Sequence, residues 1–271
     1  MPDWLQSVRT LLETEIETAG PYFSTRYGEE SDSSPEPGAV PVDGETSARA
    51  VSEAAVGGVP APAVPEGLSA LPRLEALIPV DSPLRAMQSL GEVEQFVASA
   101  RLIALDETRL NPVFGVGNPR AELMVIGEAP GADEDRQGEP FVGRAGQLLN
   151  KILEACKLRR EDVYILNILK CRPPGNRNPA PEESQNCRRF LNRQLELIQP
   201  EFICCLGSVA AQNLLDTTET IGRLRGSVHE YQGIKVVCTY HPAYLLRNPS
   251  AKKQTWDDMK LLMREIGTPL D

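Results

Sequence analysis

Four short apolar runs constrain this chain more than any other feature. They are "ELMVIGEA" (122–129), "DVYILNIL" (162–169), "EFICCLG" (201–207) and "IKVVCTYH" (234–241). Each is too short for a helix and too continuously apolar for a strand with one wet face, so each reads as a strand covered on both sides. Between and after them, 143–157, 181–198, 207–215 and 251–266 carry apolar residues at helical spacing. The second of these begins just after Pro179 and Pro181 with Glu182 and Glu183 in its first turn, a sound helix start. Strands alternating with helices predict an α/β fold, a three-layer α/β/α sandwich around a mainly parallel four-stranded sheet. In such a sheet, ligands gather beyond the C-terminal strand ends.

The rest of the chain is different in kind. Residues 1–28 include Trp4, Leu5, Val8, Leu11, Leu12 and Ile16 at helical spacing, which predicts an amphipathic helical segment that packs on the domain or binds a protein partner. Residues 29–84 turn to Pro, Ala, Gly, Ser and Glu, a composition that buries too little apolar surface to offset chain entropy and predicts a disordered linker. The folded domain is then expected over 85–271. Charge follows the same division. The net charge of −10 argues against a nucleic-acid partner. Yet residues 1–90 hold 5 Lys/Arg against 14 Asp/Glu, a net of −9, leaving −1 for the remainder. The acidity belongs to the N-terminal third, and the domain is free to carry local basic patches.

No run of about 18 apolar residues predicts a membrane span, and the N-terminus lacks the pattern of a secretory signal. The six cysteines show no disulfide-rich spacing. A reducing cytoplasm and a monomeric protein are expected.

Three loops that follow predicted strands are unusual. "GEAPG" sets Gly127 and Gly131 about Pro130, a rigid turn that a ligand can approach closely. Phe141 stands between Pro140 and a nearby Gly143, suited to a fixed stacking platform. Asn167 ends a strand with an amide able to read a base edge. His241 in "HP" can donate to an oxygen that gains charge. Arg172, Arg177, Lys252 and Lys253 can meet phosphates. Taken singly, a Gly-Pro turn is ordinarily just a turn, a Phe is core, and a strand-end Asn is a cap. On one sheet edge they make a site.

"GEAPGADEDRQGEPFVGRAGQLL" (127–149), "NILKCRPPGNRNP" (167–179) and "HPAYLLR" (241–247) closely resemble the family 4 uracil-DNA glycosylases, the iron–sulfur branch of their superfamily, related to a phage DNA polymerase. The resemblance runs over about 92–266. It implies a DNA repair hydrolase that flips uracil out of single- or double-stranded DNA and hydrolyses its N-glycosidic bond. Carried over by position, Gly127, Glu128, Ala129, Pro130 and Gly131 form the first substrate-binding motif. Phe141 stacks on uracil, Asn167 reads its edge and His241 stabilises the departing anion. Glu128 orients water or offsets charge on the sugar, while Glu134 matches a second acidic position; which acid contributes more stays open. Ala243, Tyr244 and Leu245 are the candidates for a minor-groove wedge, with Arg172, Arg177 and Arg247 on DNA. The alternative is a catalytically inert DNA- or partner-binding member.

One departure stands out. The family holds a four-iron, four-sulfur cluster on four cysteines. Cys171 and Cys187 match two of them, but the other two positions fall on Ala100 and Ile103. The expectation is a domain without the cluster, its place repacked as core. Recruitment of Cys156, or of ligands other than cysteine, are the alternatives.

Overall fold

A computed structural model describes Leu74 and residues 76–101 and 103–270, all within the unit Gly67–Asp271. The amphipathic segment expected at 1–28 and most of the expected linker lie outside the described residues. Where the linker is described, it corrects the boundary. Leu74, Ile78 and Leu84 are at most 1% exposed. Pro83–Ala86 forms a 3-10 turn whose Ser82 cap accepts from the Leu84 N–H. Burying three large aliphatic side chains recruits these residues to the domain, which therefore starts some ten residues before position 85.

The four parallel strands lie where expected. Among the described residues the sheet holds β1 (Val116–Gly117), β2 (Leu123–Gly127), β3 (Tyr164–Asn167), β4 (Phe202–Leu206), β5 (Val228–Tyr231) and β6 (Ile234–Thr239), in the order β1-β3-β2-β4-β6-β5. The inner four are parallel; β1 and β5 add antiparallel edges, so the sheet has six strands rather than four. The β5–β6 edge is a hairpin. Its two loop residues, Gln232 (φ 53°) and Gly233 (φ 84°), both have the positive φ that a tight turn of matching twist requires.

Among the described residues the α-helices, in chain order, are α1 (Leu90–Ser99), α2 (Leu105–Thr108), α3 (Ala132–Gln137), α4 (Arg144–Ala155), α5 (Pro181–Ile198), α6 (Ser208–Leu215), α7 (Ile221–Leu224), α8 (Pro242–Arg247) and α9 (Lys252–Ile266). Alternate residues of each strand serve opposite layers. Met124, Ile126, Leu166, Ile203 and Cys205 pack with Leu191 and Leu195 of α5 and Leu214 of α6. Leu123, Val125, Ile165, Cys204 and Val237 pack with Leu149 and Leu153 of α4 and Met259 and Leu262 of α9. This is the three-layer sandwich. No helix among the described residues is long and apolar enough to cross a membrane.

Candidate active site

Gly127 and Asn167 are register partners at the C-terminal ends of β2 and β3. A Cβ at Gly127 would lie 2.4 Å from Asn167 Oδ1 and 2.5 Å from Phe141 Cζ, so only glycine lets an amide and a ring close over this strand end. The Phe141 and His241 rings are 5.6 Å apart at 30°. Gly207, at the end of β4 with φ 89°, leaves the space that His241 Cβ fills 3.0 Å away. Thus Gly127, Phe141, Asn167 and His241, expected together, stand together. Phe141 is also core: it is 5% exposed and joins the cluster beneath β2 and β4.

The polar atoms are differently disposed. Asn167 is 1% exposed, and its Oδ1 is buried without a hydrogen-bond partner among the described residues. Such an atom carries a desolvation penalty of about 1–3 kcal/mol until something donates to it. His241 caps α8: its Nδ1 accepts from the Ala243 N–H at 3.1 Å. Burial, followed by the charge of nearby Arg247, lowers its pKa to about 4. The ring is therefore neutral near pH 7, and with Nδ1 an acceptor its one proton sits on Nε2. That nitrogen is a donor.

The two acids part company. Glu134 is 9% exposed. Its Oε1 accepts from the Val142 and Gly143 N–H groups, each at 3.0 Å, and its Oε2 from the Gly131 N–H at 3.1 Å. It ties the "GEAPG" turn to the "PFVG" turn. Glu128 is half-buried, and burial alone pushes its carboxyl up. Its backbone carbonyl accepts from the Leu169 N–H, but its carboxyl group carries no hydrogen bond or ion pair among the described residues, which leaves the carboxyl oxygens available to a ligand. Pro130 is buried and Ala129 partly so.

The DNA-facing candidates are divided. Tyr244 is exposed and stacks on Tyr240 at 5.0 Å, beside the half-buried Ala243. Leu245 is 1% exposed. Its expected place in a wedge is corrected: on α8 it shares a face with buried Pro242, three residues earlier, and that face points into the protein. Arg247 is exposed near His241. Arg172 donates to Asn176 Oδ1 at 2.7 Å. Arg177 is committed to a bidentate pair with Glu183.

Cys171 and Cys187 are both 1% exposed and lie together with Leu105 and Leu169. Ile103 packs against this group, and Ala100 lines the same small cavity. Asp106 fills the polar role. It accepts from the Cys171 thiol at 3.0 Å and from Arg109 at 2.7 Å. Arg109 in turn donates to the carbonyls of Val97, Ala98 and Ala100 and to Cys171 Sγ. Burial and the Asp106 hydrogen bond push the Cys171 thiol up to about 12. Two protonated thiols, a methyl group, a sec-butyl group and an ion pair do not fit a four-thiolate cluster. No cluster of three or more metal-ligating side chains occurs among the described residues. Cys156 packs instead in the core between β4 and α4.

Comparison with known proteins decides the family. The model of the uracil DNA glycosylase superfamily matches residues 114–260, more than half of the chain. The chain belongs to the uracil DNA glycosylase superfamily. Among superfamily members it is 49% identical to a type-4 uracil-DNA glycosylase of Archaeoglobus fulgidus over 67% of this chain and 95% of that protein. It is 45% identical to a type-4 enzyme of Thermotoga maritima, over 58% and 83%. A type-4 enzyme of Sulfurisphaera tokodaii is 38% identical over 68% and 87%.

Three contributors lay beyond the sequence reading. Arg160 and Arg109 lie outside the three quoted motifs, and Lys170, though inside "NILKCRPPGNRNP", was given no role. Lys170, 1% exposed, donates from Nζ to the Asn167 carbonyl at 2.9 Å.

Proposed function

We propose that the chain is a uracil-DNA glycosylase that extrudes uracil from DNA and hydrolyses the N-glycosidic bond. Water adds to the anomeric carbon, uracil departs with the bonding pair, and protonation completes the free base. The observation that carries this reading is the Asn167 Oδ1 left without a partner among the described residues, beside the Phe141 ring at the Gly127 strand end. A flat ring beside a lone buried acceptor suits an extruded base that offers an N–H on its edge. Uracil has that donor at N3; cytosine presents a lone pair at N3, so an acceptor held against that position meets repulsion instead of a bond.

As the bond breaks, negative charge gathers on the base and positive charge on the sugar. The His241 Nε2–H is set to donate to the first, and being neutral it gives no proton away when the pocket is empty. The Glu128 carboxylate answers the second, or orients the water. Glu134 holds the loop that carries Phe141. Tyr244 and Ala243 face the DNA as the wedge, with Arg172 and Arg247 toward phosphates; Arg177 reaches DNA only by leaving Glu183. No step passes through a metal cluster, since the residues at its place do not fit one. The amphipathic pattern of residues 1–28 suits a segment that binds a protein partner, and the enzyme acts as a monomer.

The test is incubation with a single-uracil oligonucleotide followed by alkaline cleavage of abasic sites. A cleaved product from wild type, lost in Asn167→Ala, supports the reading. DNA binding without product marks an inert binding module instead.

A further inference from the structure

Phe141 has φ 54°, a conformation that costs a non-glycine residue on the order of 1 kcal/mol. Something must hold it there. Two opposed clamps do. On the amide side, Glu134 takes the N–H groups of Val142 and Gly143. On the carbonyl side stands Arg160, half-buried in the turn that precedes β3. Its guanidinium donates to the Pro140 carbonyl and, at 3.4 Å, to the Phe141 carbonyl, and it is itself fixed by Asn150 Oδ1 of α4 at 3.3 Å. Beneath the turn, α4 offers no obstacle: a Cβ at Gly146 would lie 1.8 Å from Phe141 O and 2.0 Å from its carbonyl carbon. The backbone of the stacking residue thus rests directly on a helix surface and is pinned by one planar cation that is itself held by the same helix.

We propose that Arg160 is a positioning residue for uracil recognition, setting the plane of the Phe141 ring by gripping the carbonyls that flank it. The proposal rests on the glycosylase reading above and deepens it. Arg160 touches no substrate; it acts through Phe141. A guanidinium suits the task because its fixed fork can hold two successive carbonyls at once, which an ammonium cannot do with the same geometry.

The test is a double-mutant cycle. Arg160→Lys and Phe141→Ala should each lower kcat/KM for uracil excision, by about tenfold and about a hundredfold. Together they should lose no more than Phe141→Ala alone, because the clamp has nothing left to orient. Multiplying losses would overturn the proposal, as would full activity in Arg160→Lys. Inhibition by free uracil should weaken in step with Arg160→Lys, a change that mere loss of stability does not produce. A second readout stands apart from catalysis. In protein labelled with 4-fluorophenylalanine, the Phe141 resonance, assigned with Phe141→Leu, should shift or broaden in Arg160→Lys while the other phenylalanines stay in place. An unmoved Phe141 signal would refute the proposal even if wild type proved inactive; an inactive wild type with a moved signal would refute only the glycosylase reading.

Discussion

The rim at the ends of β2, β3 and β6 and the neighbouring cysteine region adjoin but follow different rules. Ala129 of the first motif packs against Leu169, Cys171 and Cys187, and Lys170 donates to the Asn167 carbonyl. At the rim each residue type that the resemblance implies is present, and the geometry depends on atoms that are missing: no Cβ at Gly127, none at Gly146. At the cysteine region two of four ligand positions are apolar, and the gap is closed by an ion pair that no ligand pattern would suggest. A pocket that must hold a transition state admits few solutions. A region that must only hold chain segments together admits several, because burial and hydrogen bonding can replace metal–thiolate bonds.

That contrast breaks if the two regions respond alike to mutation. The largest effect is expected at the rim. Asn167→Ala and His241→Ala should each lower uracil excision at least tenfold, and by about a hundredfold where a transition-state donor is lost, while thermal unfolding changes little; single-turnover rates beside melting curves check both. Gly146→Ala belongs with them. In an ordinary helix interior this change gains up to about 1 kcal/mol, but here the new methyl meets the Phe141 backbone, so stability and excision should both fall.

The cysteine region should show the reverse. Arg109→Ala removes the buried ion pair with Asp106 and the donor to the Val97 carbonyl, while Arg101 still donates to the Ala98 and Ala100 carbonyls, and should cost about 3–5 kcal/mol of unfolding free energy. Denaturant titration reads that loss, and the protein still folded should excise uracil within about threefold of wild type. A smaller change sharpens the point. Cys171→Ala and Cys187→Ala should each cost on the order of 1 kcal/mol, and the wild-type protein should be colourless. A brown preparation absorbing at about 400 nm, with about four irons per chain, would restore the metal and collapse the comparison.

The smallest effect is one of pH. His241 titrates at about 4 in the folded protein and near the ordinary histidine value of about 6.5 when unfolded. Excision should therefore show no inflection near pH 6.5 from this group, and should fall as pH drops through about 4, where a proton on Nδ1 displaces the Ala243 N–H. Between those two values only the unfolded chain takes up the proton. Stability should accordingly decline as pH is lowered across that window. Imidazole nitrogen shifts, with the Nε2–H tautomer persisting at pH 5.5, provide the direct check.

Composition and periodicity alone specified the four parallel strands, the helices between them and the edge where ligands gather, because strands buried on both faces leave an unmistakable apolar signature and parallel pairing requires crossovers. Gly127, Phe141, Asn167 and His241 were marked by falling together at the strand ends and in the loops that follow them, while their individual roles came from the family resemblance. Other features needed three dimensions. The two edge strands escaped notice: Val116–Gly117 is only two residues long, and the Gln232-Gly233 turn was the one local signal for the other. Leu245 looked like a wedge until helix α8 turned its face inward. The sequence put Glu128 first and left the share of Glu134 open; only folding shows three backbone amides converging on Glu134 and none on the Glu128 carboxyl. Arg160 and Arg109 act on carbonyls, and a carbonyl is identical in every residue. Which carbonyl lies within reach of which guanidinium is fixed by tertiary packing and written nowhere in the local sequence.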